Sequence, residues 1–183
     1  MHDRAGALHA GWHEGLAVVN LRGDARVAAF REAIERTLGL PLPVRAGTTS
    51  GDDMLRVVWV GPDDWFVIGP RGQAGALVQQ LRIAASPLQG AVTDVSGGYT
   101  VLRLSGVSAR DVLAQGCPLD LHPCVFPVGA TAGSHFFRAT VWLWKVDNEP
   151  TYEGLVRRSF MNYVWLMVER TTLECGLVER HVA

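Results

Sequence analysis

The chain has 183 residues, of which 48% are hydrophobic and 19% charged, so it is long enough to bury a hydrophobic core without disulfides. Its 17 basic and 18 acidic residues give a net charge of −1 and a pI of about 6.6. The basic residues are scattered and form no stripe, which argues against nucleic acid and against an anionic membrane as partners.

Cysteine content and the N-terminus bear on location. Three cysteines, at positions 117, 124 and 175, are an odd and small set, which favours a reducing compartment. The N-terminus has no apolar core behind basic residues, so it does not read as a signal peptide, and no apolar run reaches the length of a membrane span. We therefore expect a cytoplasmic protein.

The first half of the chain predicts a βαββαβ order. Residues 1–14 are expected to form a flexible arm, and residues 41–53 a loop. Asp24 is placed to cap a helix whose apolar residues recur at helical spacing from Val27 to Leu38, and Gly39 to end it. A second helix runs from about Gln73 to Pro87. The predicted strands are Leu16–Arg22, Leu55–Val60, Trp65–Ile68 and Ala91–Val95.

The second half repeats most of this order as βαββα. Its predicted helices are Ala109–Gln115, opened by Ser108, and a final helix capped by Ser159 with Phe160 facing inward. The predicted strands are Tyr99–Leu104, Phe136–Val146 and Thr151–Arg158. Two ferredoxin-like halves in tandem are the simplest interpretation, which gives an α+β fold with a largely antiparallel sheet and helices on one side.

Three motifs suggest chemistry but fit it poorly. The glycines at 69, 72 and 75 have the spacing G-x-x-G-x-x-G rather than that of a dinucleotide-binding loop, so a helix-opening turn is the simpler interpretation. The loop C-P-L-D-L-H-P-C at 117–124 lacks the paired ligands of a zinc site and an orienting group for a Cys–His pair. In that loop, Asp120 and His122 are expected to bond to the backbone, and Asp94 to accept N–H groups of the V-S-G-G turn.

Trp142 and Trp144 lie two residues apart and so point to one face of their strand, while Val141 and Leu143 take the other face. A strand that is apolar on both faces must be covered on both. The second cover is either another element of this chain or another protein, and the sequence leaves the two open.

The stretch from Thr93 to Gly129 resembles the signature of the gamma subunit of heterotetrameric sarcosine oxidase. It contains T-D-V-S-G-G-Y-T-V-L-R-L-S-G and, further on, C-P-L-D-L-H-P-C-V-F-P-V-G. Weaker landmarks are V-G-P-D-D-W-F-V-I-G at 60–69, V-W-L-W-K-V at 141–146 and Y-E-G-L-V-R-R-S-F at 152–160. More remotely, the chain is similar to the folate-binding aminomethyltransferase, or T-protein, domain, which begins with a duplicated unit of this kind.

The resemblance implies one gamma-subunit domain over residues 15–183 and a non-catalytic role in an enzyme that oxidises sarcosine to glycine. The other products would be formaldehyde or methylene-tetrahydrofolate, and hydrogen peroxide. It implies that FAD, FMN, NAD, tetrahydrofolate and zinc are bound by partner subunits and none by this chain. The implied partners are the alpha, beta and delta subunits, alpha most directly. Candidate interface residues are Asp120, His122, Phe126, Trp142 and Trp144.

The aminomethyltransferase comparison also supplies a negative clue. That family carries G-G-x-x-D-D on the strand after the long loop, whereas the matching residues 134–142 here, S-H-F-F-R-A-T-V-W, contain no acid. Two alternatives remain: an equivalent subunit of a related enzyme for another N-methyl amino acid, such as N-methylglutamate dehydrogenase, and a stand-alone folate-binding module.

Overall fold

The computed structural model describes residues 8–172 and 177–179, and the chain divides into two compact units. One unit is the continuous segment Gly15–Gly97, and the other joins the residues up to Glu14 to the segment from Gly98 onward. The helices are α1 (Ala28–Leu38), α2 (Ala74–Ala85), α3 (Ala109–Ala114) and α4 (Met161–Thr171). The strands are β1 (Leu8–His13), β2 (Ala17–Arg22), β3 (Thr49–Gly51), β4 (Arg56–Gly61), β5 (Asp64–Gly69), β6 (Ala91–Asp94), β7 (Tyr99–Ser105), β8 (Thr131–Phe136), β9 (Ala139–Lys145), β10 (Tyr152–Arg157) and β11 (Leu177–Glu179).

The continuous unit has the ferredoxin-like strand order. Its sheet runs β3-β4-β5-β2-β6 with every pair antiparallel, and β3 extends it from within the predicted loop 41–53. Helices α1 and α2 close the core, because each places its apolar residues three or four apart on one face. The buried core residues include Val19, Leu21, Phe30, Ile34, Leu38, Trp65, Val67, Val78 and Leu81.

The start of α1 corrects one expectation. Asp24 does not cap the helix, which begins at Ala28 after an extended Val27. Asp24 instead closes the preceding turn: its carboxylate accepts a hydrogen bond from the Arg26 backbone N–H, and its carbonyl accepts one from Val27 N. The end of the helix is as predicted, since Gly39 adopts a left-handed φ of 68° and donates its N–H to the Glu35 carbonyl.

The second unit has the same core order. Its sheet runs β11-β1-β7-β10-β9-β8, antiparallel except for the parallel pair of β1 and β11. Helices α3 and α4 bury their apolar residues against one face of it. The residues of this core include Leu8, Ala10, Leu102, Leu104, Val112, Leu113, Leu143, Tyr152, Val164 and Val168. The duplicated α+β fold predicted from the sequence is therefore confirmed.

The N-terminal arm prediction is wrong for residues 8–13, and residues 1–7 lie outside the described part of the chain. Those six residues form β1, which lies antiparallel to β7 in the sheet position that the fourth strand of a ferredoxin-like unit would take. The strand is held by burial, since Leu8 and Ala10 are fully buried. The predicted βαββα half is thus completed to four core strands by residues from the other end of the sequence.

Two other boundaries differ from those predicted. The strand expected over Phe136–Val146 begins later, as β9 at Ala139, and β8 precedes it as the other strand of a hairpin, with Phe137 at the turn at a φ of 51°. Ser159 does not cap the final helix, because a short 3-10 turn occupies Arg158–Phe160, and Phe160 is 43% exposed rather than inward. None of the helices in the described ranges is long and apolar enough to cross a membrane.

Candidate functional site

The loop between α3 and β8 is organised by the side chains that the sequence singled out. Asp120 Oδ1 accepts a hydrogen bond of 2.9 Å from the His122 backbone N–H, and His122 Nδ1 accepts one of 3.3 Å from Cys124 N. The His122 carbonyl also accepts the N–H groups of Val125 and Phe126, each at 2.8 Å. Asp120 and His122 therefore hold the loop through the backbone, as predicted, and both remain exposed.

The cysteines of this loop have different surroundings. Cys117 is buried, with Sγ 3.7 Å from Ser134 Oγ, whereas Cys124 is exposed. Within residues 8–172 and 177–179, no group of three or more His, Cys, Asp or Glu side chains is arranged to hold a metal ion. Cys175 lies outside the described residues.

Strand β9 is apolar on both faces, as predicted. Val141 and Leu143 lie in the core beneath α3 and α4, and the two tryptophans lie on the opposite face. Trp144 is 1% exposed, while Trp142 is half-buried and lies across Gly133 of the neighbouring strand. Of the two tryptophans, Trp142 is therefore the one with solvent-accessible surface.

The same face carries a buried charged cluster around Glu153, which is 7% exposed. Glu153 Oε1 accepts a hydrogen bond of 2.7 Å from Arg103 Nη1, and Oε2 accepts one of 3.1 Å from the Trp144 indole N–H. His13 Nε2 lies 3.6 Å from Oε1. Strands β1, β7 and β9 thus direct one side chain each at this carboxylate of β10, and two of them, Arg103 and Trp144, donate hydrogen bonds to it.

Burial alone would raise the pKa of Glu153, but the His13 imidazole and the Arg103 guanidinium outweigh it and lower the pKa below its ordinary value. The carboxylate is therefore held ionised and fully engaged. Such a group stabilises the sheet and is poorly placed to exchange protons in a reaction.

The T-D-V-S-G-G segment forms a second polar cluster, at the end of β6. Asp94 Oδ1 accepts hydrogen bonds from the Ser96 backbone N–H at 2.9 Å and from Ser96 Oγ at 2.6 Å. Ser96 Oγ in turn accepts the Val18 N–H at 2.9 Å. The prediction that Asp94 binds turn N–H groups is confirmed, and these bonds lower the pKa of Asp94.

The continuous unit also has an open depression of about 930 Å³ that includes Arg22, Arg26 and Arg31 among its lining residues. Arg26 Nη2 lies 2.9 Å from Asp24 Oδ2, and Arg22 lies within 4 Å of the carboxylates of residues 63 and 64. Two of these three arginines are therefore neutralised by neighbouring acids, which weakens the depression as an anion site.

Sequence reasoning missed the Glu153 cluster. One signal was present, because Arg103 is the lone charge of β7 and Glu153 the lone acid of β10. Their pairing depends on strand register, however, and register is set by the whole sheet.

Comparison with known proteins identifies the family of the chain. Residues 22–174 match the sarcosine oxidase, gamma subunit family. The gamma subunit of sarcosine oxidase from Corynebacterium sp. strain P-1 is 34% identical over 148 residues, which are 79% of this chain and 70% of that protein. The gamma subunit from an Arthrobacter species is 34% identical over 126 residues, 68% of this chain and 61% of its relative.

Solved structures agree with the sequence matches. A chain of the heterotetrameric sarcosine oxidase from Corynebacterium sp. U-96 superposes with a TM-score of 0.84 at 27% identity, covering 98% of this chain and 90% of that one. The glycine cleavage system aminomethyltransferase T from Bartonella henselae gives a TM-score of 0.70 at 12% identity over 96% of this chain and 48% of that protein, a likeness of fold alone. The chain therefore belongs to the sarcosine oxidase gamma subunit family.

Proposed function

We propose that the chain is a non-catalytic subunit of a heterotetrameric sarcosine oxidase, in which it packs on the alpha subunit. The observation that carries the proposal is its membership of the gamma subunit family, together with a fold match over 98% of its length to a chain of a heterotetrameric sarcosine oxidase. In this proposal the beta and delta subunits complete the complex, which resides in the cytoplasm. FAD, FMN, NAD, tetrahydrofolate and zinc belong to the partner subunits.

The polar side chains of the chain support a structural role. Asp120 and His122 are engaged by their own loop, and the Glu153 carboxylate is engaged by two donor side chains and by the nearby His13 imidazole. The β8–β9 hairpin, residues 131–145, contains no acidic residue, whereas the aminomethyltransferase pattern requires one there. These groups build the fold and leave little for proton transfer.

The proposed contact with alpha uses the loop between α3 and β8 and the neighbouring strand β9. Asp120, His122 and Trp142 supply exposed surface, and Phe126 and Trp144 support them from within the chain. The loop also exposes two apolar side chains, Val125 at 60% and Val128 at 47%. Exposed apolar side chains beside polar ones are the usual composition of a protein interface.

The proposal is tested by purifying the tagged chain from its source cells, identifying the co-purifying proteins and scanning the eluate for flavin absorbance. A stoichiometric yellow complex that oxidises sarcosine is expected, whereas the chain expressed alone is colourless and inactive. Stoichiometric flavin or turnover in the isolated chain would contradict the proposal. Assaying the complex with N-methylglutamate decides between sarcosine oxidase and the related dehydrogenase.

If the chain purifies alone, a stand-alone folate-binding module becomes the better explanation. Six tryptophans make that alternative measurable, because tetrahydrofolate bound near them would quench their fluorescence. Under the subunit proposal, the isolated chain shows no saturable quenching.

A further inference from the structure

Lys145 is the only lysine of the chain and is buried, with 4% of its surface exposed. Its ammonium donates a hydrogen bond to the Glu149 carbonyl and lies 4.8 Å from the centre of the Tyr152 ring. An ammonium has three donors, and the described residues supply one acceptor within bonding distance. Desolvation lowers the pKa of Lys145. A buried cation with unused donors is costly unless another group completes its bonds.

Lys145 lines a pocket of about 250 Å³, and Arg110 and Asn148 line it as well. The charged residues of this lining are Arg110 and Lys145, both cationic. Asp147 and Glu149 act on Lys145 through their charge, but neither carboxylate lines the pocket, and Asp147 Oδ1 is buried without a hydrogen-bond partner. Arg110 lies 4.0 Å from the exposed Asp111, a weak pair. The pocket thus offers cationic donors to an anionic group.

The size and edges of the pocket indicate what kind of anion fits. Its apolar lining consists of Pro123, Pro150 and Val107, and Val107 is 78% exposed. Drug-sized ligands occupy pockets of roughly 300–1,000 Å³, so this one suits a single side chain better. These three residues form an apolar collar at the mouth of the pocket. Apolar side chains around a desolvated cation are typical of an interface hot spot.

We propose that this pocket is a docking socket for the carboxylate of an Asp or Glu side chain on a partner subunit. Lys145 and Arg110 bind the carboxylate, and the apolar collar excludes water around it. The inference rests on the proposed function and deepens it, because it names the chemistry by which a partner is recognised.

The direct test is zero-length cross-linking of the assembled complex with a carbodiimide. The reagent joins a carboxylate to an adjacent amine as an amide and takes up the water that is lost. Since the chain has one lysine, mass spectrometry assigns any lysine-linked peptide of this chain to Lys145. A link from Lys145 to an Asp or Glu of a partner subunit is expected. A link solely to Asp147 or Glu149 of the same chain would overturn the proposal.

A quantitative test uses Lys145→Met, which keeps the length of the side chain and removes its charge. Rebinding of the co-purified partner subunits is expected to weaken about tenfold or more, because one partner of a buried charge pair is lost. The thermal midpoint of the isolated variant is expected to stay level or rise, because a buried charge without a direct ion pair is removed. Arg45→Met, at an exposed arginine of the other unit, is the matched control and should leave rebinding unchanged.

The remaining outcomes are distinguishable. If Lys145→Met rebinds the partner subunits as well as wild type does, the proposal is wrong. If that variant misfolds, unchanged rebinding of the partner subunits by Arg110→Gln would overturn the proposal instead. Saturable stabilisation of the isolated wild type by sodium acetate, combined with normal assembly of the variant, would make the pocket a site for a free small carboxylate and overturn the docking role. A wild-type chain that assembles with nothing would overturn the proposed function itself and the socket with it.

Discussion

Arg103 and Glu153 face each other directly across the neighbouring strands β7 and β10, with Nη1 and Oε1 2.7 Å apart. The next residue in the same row is Trp144, which lies opposite Glu153 on β9 and binds the second carboxylate oxygen. One carboxylate therefore ties three adjacent strands together through side chains, in addition to the backbone ladder.

Glu153→Gln is expected to lower the free energy of unfolding by about 2 kcal/mol, since the buried hydrogen bonds from Arg103 and Trp144 then no longer go to a charged group. Urea denaturation of the isolated chain measures this. Glu32→Gln, at an exposed glutamate of α1, is the control and should change stability little. Equal free energies of unfolding for the two variants would show that the buried cluster contributes nothing to stability.

The same carboxylate predicts a pH dependence. Because the folded pKa of Glu153 lies below its ordinary value of 4.5, the stability it contributes is present above that value and is lost as the pH falls through the folded pKa. The difference in unfolding free energy between wild type and Glu153→Gln is expected to be present at about pH 5 and to shrink below about pH 4. Parallel curves of unfolding free energy against pH for the two proteins, down to the acid transition, would contradict this. The comparison removes the effects of Asp52 and Asp94, because both proteins contain them.

Ser96→Ala tests the T-D-V-S-G-G turn. The substitution removes the acceptor of the Val18 N–H and one donor to Asp94, so we expect a loss of about 1–2 kcal/mol. Ser108→Ala is the matched control, because the Ser108 side chain makes no capping bond to α3 and its loss should be close to neutral. If both serines behave alike in urea denaturation, the turn is not held by Ser96.

Two glycine-to-alanine substitutions are expected to change stability in opposite directions. The first, at Gly133, tests the packing of Trp142, and the second, at Gly75, is the control. A Cβ at Gly133 would lie 2.8 Å from the Trp142 ring, so Gly133→Ala is expected to destabilise by about 1–3 kcal/mol as the indole is displaced. At Gly75 in α2 a Cβ meets nothing within 4 Å, and Gly75→Ala is expected to stabilise by about 0.5–1 kcal/mol through helix propensity. Thermal or urea midpoints measure both, and a Gly133→Ala variant as stable as wild type would show that the ring moves freely.

The elements that could be predicted from the sequence were those whose apolar residues recur at regular spacing. Helix α1 follows from the spacing of Phe30, Ile34 and Leu38, and the duplicated order follows from the sequence of strands and helices. Strand β1 was missed although Leu8, Ala10 and Trp12 alternate, because glycine and histidines dilute the pattern. Strand β8, T-A-G-S-H-F, has weak β propensity and forms because β9 offers it a partner edge.

The site was less predictable than the fold. The local roles of Asp94, Asp120 and His122 could be predicted because each bonds to backbone within two residues. The Glu153 cluster and the Lys145 pocket depend on side chains from separate strands and loops. Their members meet through sheet register and loop path, which a single sequence does not specify.

Strand β1 also has a consequence for how the chain folds during synthesis. Thr100 Oγ1 donates to the His13 carbonyl across a separation of 87 residues, so the contact forms only after the segment between them has been made. The segment Gly15–Gly97 emerges from the ribosome with all of its strands and can close first. Residues 8–13 meanwhile remain an unpaired strand edge, open to wrong pairing. Closure of the second unit therefore depends on contacts of high sequence separation and is expected to be the later and slower step.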